Sequence, residues 1–246
     1  MTYCVGLRVR SGLVLLSDTR TNAGMDNVSR FTKMFPFERP GDRVICLMTA
    51  GNLSITQGVI ARLNHGIQKG DKDPSIRSIM NVESMFEVAE IVGAEMRRMQ
   101  EEHREAILEQ GTGADATILL AGQRKGGKHR IFLIYSAGNF IHATEDTPYF
   151  QLGEHKYGKP ILDRIITPES SLEDCLKAVC VSMDSTLHSN LSVGMPLDLA
   201  VIEKDALCFR TRRRIEKDDP QFSGISESWA KALRNGFHEL PDLLQS

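Results

Sequence analysis

The 246-residue chain lacks any apolar run approaching the roughly 20 residues that a membrane-spanning helix needs, so a membrane partner is not expected. It lacks a charge surplus too. Thirty Lys and Arg stand against 32 Asp and Glu, a net charge of -2 with a pI near 6.4, which argues against a dedicated binder of nucleic acid or anionic lipid. Cysteine is sparse and unpatterned. Cys4, Cys46, Cys175, Cys180 and Cys208 form no CxxC and make an odd total, mostly inside apolar runs, which reads as reduced, buried thiols of a cytoplasmic protein. Seven His show no HExxH or other paired metal spacing, and neither a Gly-rich phosphate loop nor a GxSxG elbow is present, so no metal and no cofactor are expected. No Pro/Gly/Ser-rich linker divides the chain. It reads as one domain over residues 1–246 with a helical extension at about 222–246. Hydrophobic content of 41%, charge of 25% and a mean hydropathy of -0.23 are ordinary for a globular protein.

What is present begins at the start of the chain, Met1-Thr2-Tyr3-Cys4-Val5-Gly6-Leu7-Arg8-Val9-Arg10, with no signal-like segment ahead of it. Thr2 is small enough for Met1 to be trimmed. The exposed Thr would then carry a nucleophilic hydroxyl and an α-amine on one residue, and a free α-amine, with a pKa of about 7.7 to 8.0, can take the hydroxyl proton near neutrality. Tyr3 to Arg10 and Leu13 to Leu16 read as strands joined at Ser11-Gly12, a hairpin that returns Ser17-Asp18-Thr19-Arg20 to the Thr2 end. A third extended run, Arg30 to Phe35, holds a lone Lys33. A fourth, Asp42 to Ala50, ends in Gly51-Asn52 and opens a helical pattern with Asn52 as N-cap.

The order Thr2, Ser17-Asp18-Thr19-Arg20, Lys33, then Thr49-Ala50-Gly51 entering a helix resembles the proteasome β-type family of N-terminal-nucleophile hydrolases. The MTYCVGLR start, the SDTRTNAG run and Gln151 to Pro160 most resemble the bacterial Anbu, or ancestral β-subunit, proteins, and the likeness covers nearly the whole chain.

That resemblance implies a peptidase in which Thr2 Oγ attacks a peptide carbonyl. Lys33, beside Thr2, would favour the unprotonated amine, and Asp18 would neutralise Lys33, since a buried ammonium without a partner is costly. The Gly51 N–H, at a strand-to-helix junction, would be an oxyanion donor. Asp184 or Ser189, in Asp184-Ser185-Thr186-Leu187-His188-Ser189-Asn190, stands where the family has supporting side chains, and the sequence leaves open which of the two reaches Thr2. Thr21 and Asn22 would bind substrate backbone, and Thr49 and Leu53 would line the side-chain pocket. Without the resemblance, Lys33 reads as an edge-strand cation, Asp18 as a turn residue and Gly51 as a plain turn glycine. Two departures stand out: the Asp18 to Lys33 spacing is one residue short of the proteasome pattern, and Gln151-Leu152-Gly153-Glu154 has no Ser where the family has a Ser-Gly-Ser-type segment.

Further along, helices are expected from Asn52 to Lys69, from Ser84 into the polar stretch Gln100 to Glu109, over Lys156 to Ile166 with an early break at Pro160, and from Ser170-Ser171 through Leu187. Strands are expected over Ala114 to Gln123 and His129 to Ala137, and a final hairpin from Leu197–Ile202 and Ala206–Phe209. A helical tail covers Ser226 to Leu244. Pattern alone gives an α+β protein; the resemblance implies a four-layer αββα sandwich. It also implies a homo-oligomer, either a ring or an open spiral, acting on a peptide or protein substrate. Three other functions remain on the sequence: a self-assembling scaffold or peptide-binding protein with little proteolysis, an N-terminal-nucleophile amidase of small substrates, and a Cys-nucleophile hydrolase built on Cys4 or Cys46. Met1 bears on the first, because an acylated α-amine is an amide and no base.

Overall fold

Alternating apolar residues place β1 (Tyr3–Val9) and β2 (Gly12–Asp18) in the middle of a sheet, paired antiparallel from Cys4 opposite Ser17 to Val9 opposite Gly12. The computed structural model describes residues 2–22, 28–109, 111 and 113–243; Met1, the Ala23-Gly24 part of the SDTRTNAG run and Leu244 lie outside them. Sheet one has the order β10-β1-β2-β11-β12, where β10 is Tyr149–Gly153, β11 Leu197–Glu203 and β12 Thr211–Ile215. Sheet two has the order β5-β6-β7-β8-β9, formed by Met34–Arg39, Arg43–Gly51, Ala116–Arg124, Arg130–Ile134 and Phe140–His142. A short ribbon, β3 (Arg20–Asn22) with β4 (Val28–Arg30), stands between them in sequence.

Three apolar clusters define the layers. Cys4, Leu13, Leu15, Val44, Cys46, Met48, Leu119 and Ala200 meet between the sheets. On the outer side of sheet two, Ile45, Leu47, Ile118 and Leu120 pack against α1 (Leu53–Lys72) and α2 (Met85–Glu109) through Ile55, Val59, Val88, Val92 and Met96. On the outer side of sheet one, Val5, Leu7, Val14, Leu16 and Leu199 pack against α3 (Lys159–Ile165), α4 (Leu172–Ser189) and α5 (Pro220–His238) through Leu162, Val179, Met183 and Phe222. Odd and even residues of each central strand thus serve different clusters, the period-2 rule applied on both faces. The result is the expected four-layer αββα sandwich.

Three sequence expectations are corrected. The last strand is Thr211–Ile215 and not Ala206–Phe209, because Asp205 (φ 64°) and Leu207 (φ 53°) adopt left-handed backbone that a strand cannot carry. Pro160 does not break its helix; it sits in the first turn of α3, where its missing N–H costs nothing. The tail helix starts at Pro220, six residues before Ser226, with Asp219 accepting from the Gln221 and Phe222 N–H groups. Strands β9 and β10 had no sequence expectation.

Candidate functional site

The β1–β2 register, continued one step beyond Cys4 and Ser17, sets Tyr3 across from Asp18. Asp18 is wholly buried at the end of β2, and its Oδ1 accepts from the Tyr3 N–H at 3.1 Å, one peptide unit from Thr2. Lys33 lies just ahead of β5 and is pinned by its own carbonyl, which accepts from the Thr49 N–H at 3.0 Å. Its side chain, only 4% exposed, donates from Nζ to Asp18 Oδ1 at 2.6 Å and to the Arg20 carbonyl at 2.6 Å. The Gly194 N–H adds a fourth bond, to Asp18 Oδ2 at 3.3 Å. Burial raises the Asp18 pKa, and the Lys33 charge and the two backbone N–H groups pull it back. A buried ion pair with its lone pairs filled in this way is the arrangement that a low-dielectric site tolerates.

Gly51 closes the other side. It ends β6 opposite Ala116 with φ 96°, and a Cβ there would fall 2.3 Å from the Asp115 carbonyl, so only glycine fits the corner. Asn52 caps α1 as expected, its Oδ1 accepting from the Ser54 and Ile55 N–H groups. Leu53, the first residue of α1, is half-buried, and Thr49 is buried on β6, in step with Ile45 and Leu47 on the side facing α1. Thr21 and Asn22 end β3, their backbones paired with Ser29 and Val28. Asp184 is buried on α4 and its carboxylate faces His188 Nδ1 at 3.5 Å; Ser189 is exposed at the helix end. Neither has a hydrogen bond to Thr2 among the described residues.

Several groups frame Thr2 through contacts that the sequence did not indicate. The Thr2 carbonyl accepts from the Glu154 N–H at 2.7 Å, and Gly153, φ 75°, leaves no space for a Cβ, which would lie 1.9 Å from that carbonyl oxygen. Tyr3 anchors the next residue: its ring is fully buried, and its hydroxyl meets Ser182 Oγ at 2.5 Å and accepts from Gln151 Nε2 at 2.7 Å. Burial pushes its pKa up to about 12. The loop after α4 wraps the β2–β3 corner, where Thr19 Oγ1 donates to the Pro196 carbonyl and Arg20 Nη1 to the Leu191 carbonyl, both at 2.7 Å. The resemblance marked Gln151-Leu152-Gly153-Glu154 as a segment near the nucleophile, but the bond from the Glu154 N–H carried no signal, since β10 itself was not legible.

Burial pushes the Cys4 and Cys46 thiols far up, away from the thiolate that a nucleophile requires, so the cysteine reading loses its chemistry. A cleft of about 1080 Å³ opens elsewhere, between α4, α5 and β12, lined by Leu176, Cys180, Ile215, Phe222 and Trp229, and does not include Thr2. No described helix is long and apolar enough to cross a membrane.

No protein-family model and no curated protein matches the chain. Solved structures do. Anbu (ancestral beta-subunit) from Yersinia bercovieri is 42% identical with a TM-score of 0.91 over 99% of both chains. A helical assembly of the Anbu complex from Pseudomonas aeruginosa is 41% identical with a TM-score of 0.90, covering 98% of this chain and 97% of that one. A Gly-1 mutant of Anbu from Hyphomicrobium sp. strain MC1 is 40% identical with a TM-score of 0.89 over 99% of both.

Proposed function

This chain belongs to the Anbu family of proteasome-like β-subunits, and from that premise we propose that it is a threonine peptidase whose nucleophile is Thr2 after removal of Met1. The observation that carries the reading is the buried Lys33–Asp18 pair, hydrogen-bonded to the peptide that follows Thr2. A desolvated lysine beside an N-terminal threonine favours the neutral amine, which takes the Oγ proton as Oγ attacks the peptide carbonyl. The tetrahedral oxyanion is held by the Gly51 N–H at the mouth of α1, the amine leaves with the proton, and water then releases the acyl group from Thr2. Asp18 keeps Lys33 compensated and oriented. From α4, Asp184 or Ser189 supports the Thr2 end indirectly, neither being hydrogen-bonded to Thr2 among the described residues.

An extended peptide pairs as an added strand between the Thr21-Asn22 backbone and the Gly51 side, which makes main-chain binding indifferent to sequence. Selectivity falls to Thr49 and Leu53. With neither of them charged, an apolar or small residue precedes the scissile bond. The unit that acts is the 1–246 domain less Met1, with α5 as its extension, in a homo-oligomer. Supporting this, the second half of α5 and the turn after it present apolar side chains to solvent, with Leu233 53%, Phe237 70% and Leu240 62% exposed, and the Pseudomonas aeruginosa relative is a helical assembly. The same apolar side chains favour a second reading, a self-assembling scaffold with little proteolysis.

Intact mass combined with a peptide epoxyketone and a library of short fluorogenic peptides separates the two. A mass lacking one Met, an adduct on Thr2 and cleavage of apolar substrates are expected. Retention of Met1 in active protein, or a processed protein with neither adduct nor cleavage, would sink the peptidase reading and leave the scaffold.

A further inference from the structure

Glu154 holds Thr2 with its backbone and the rest of the site with its side chain. Its N–H donates to the Thr2 carbonyl. Its carboxylate, on a residue 9% exposed, accepts from the Lys156 N–H on Oε1 at 3.1 Å and from Asn190 Nδ2 on Oε2 at 3.1 Å. Asn190 is the C-cap of α4, and its own Oδ1 accepts from the Ser192 N–H at 3.0 Å and from Ser192 Oγ at 2.5 Å. That turn leads to Gly194, whose N–H reaches Asp18. The Glu154–Asn190 bond therefore bridges two pieces of chain: the β10 end that grips Thr2, and the α4–β11 loop that grips the partner of Lys33. A hydrogen bond to a buried carboxylate is stronger than a neutral one and costlier to lose.

We infer that Glu154, locked by Asn190, is a positioning residue that keeps Thr2 in register with the Lys33–Asp18 pair. The inference deepens the peptidase reading and rests on Thr2 being the N-terminal residue of the working protein. It assigns the place of the missing Ser in Gln151-Leu152-Gly153-Glu154 to a carboxylate that acts through Asn190 instead of a hydroxyl. Among the described residues, the charged groups on the elements that meet the Thr2 end are Asp18 and Arg20 from β2 and β3, Lys33 ahead of β5, Asp115 ahead of β7, Glu154 and His155 after β10, and Asp184 and His188 on α4. Of these, Lys33 bonded to Asp18 is the buried cation that this register sets at the Thr2 end.

The test uses the full chain, released from a fusion so that it begins at Thr2, as wild type, Asn190→Ala, Glu154→Asp and the double variant. Asn190→Ala removes the bridge without altering charge; Glu154→Asp keeps the charge but withdraws the carboxylate by one methylene. Competitive acetylation of the Thr2 amine with acetic anhydride, read by mass spectrometry across pH, reports its titration without any turnover. Each single variant should displace the acetylation midpoint from that of wild type and slow epoxyketone adduct formation about tenfold, and the double should be no worse than either single. A midpoint for Asn190→Ala that coincides with wild type, or effects that multiply in the double variant, would overturn the inference. Absence of any wild-type adduct would instead defeat the nucleophile reading, while the acetylation midpoints still decide whether Glu154 and Asn190 position Thr2.

Discussion

Replacing Lys33 by Ala leaves Asp18 as a buried carboxyl with two backbone N–H donors and no cation, and the consequence is calculable from its environment. Removing one partner of a buried pair costs about 3 to 5 kcal/mol when the other must stay charged. Asp18 has an escape, because it can take a proton. At pH 7, protonating a carboxyl whose unfolded pKa is near 3.8 costs about 4 kcal/mol at roughly 1.4 kcal/mol per pH unit, so the loss is capped there. The sign is set by linkage: a folded pKa raised above the unfolded one gives stability that is complete below the unfolded value and is lost as pH rises through the folded value. Burial already raises the Asp18 pKa with Lys33 in place, and without Lys33 it rises further. The destabilisation by Lys33→Ala should therefore shrink by up to about 3 kcal/mol from pH 7 to pH 5, a difference of roughly 6 to 10 °C in melting temperature for a chain of this size. Melting of wild type and variant at pH 5, 6 and 7, at one protein concentration because assembly contributes to the apparent stability, gives the measurement. The variant should fold, assemble and lose hydrolysis and Thr2 adduct formation together. An equal loss of stability at all three pH values, or undiminished turnover, would refute the placement of Lys33 beside an otherwise uncompensated Asp18.

Gly51→Ala forces a Cβ against the Asp115 carbonyl in a left-handed backbone, so it should cost on the order of 1 to 3 kcal/mol and slow acylation beyond what stability explains; a normal adduct rate in a folded variant would remove Gly51 from the oxyanion role. His129 is buried with Nε2 against the Val9 carbonyl at 2.8 Å, and burial lowers its pKa, so its stabilising contribution is present above about 6.5 and lost as pH falls through the lower folded value. His129→Gln should flatten the acid side of the melting-temperature profile, and an unchanged profile would contradict this. Removing residues after Ser226 takes away Leu233, Phe237 and Leu240 and should reduce the assembled mass seen by light scattering. A monomer at micromolar concentration for the intact chain would contradict homo-oligomerisation itself.

Much of this molecule is written in local chemistry. The Ser11-Gly12 turn fixes a hairpin, the hairpin returns Asp18 to the Thr2 end, Asn52 caps the helix that Gly51 introduces, and the mix of strand and helix patterns gives an α+β protein, its four layers being implied by the resemblance alone. The turn, the cap and the patterns depend on residues near one another in sequence, which is why they were legible. Tertiary structure decided the remainder. Strand β10 is five residues long and gains its identity by pairing with β1, some 150 positions away, so the resemblance could mark the segment ending in Glu154 but not its grip on the Thr2 carbonyl. The Ala206–Phe209 tetrad has strand composition, yet the chain turns through left-handed Asp205 and Leu207, and β11 pairs with the arginine-rich segment beyond. Sequence supplied Lys33 and Asp18 as two charges with bland alternatives; their 2.6 Å contact depends on bringing the start of β5 against the end of β2, a long-range closure that makes a solvent-exposed lysine and a turn aspartate into a buried pair.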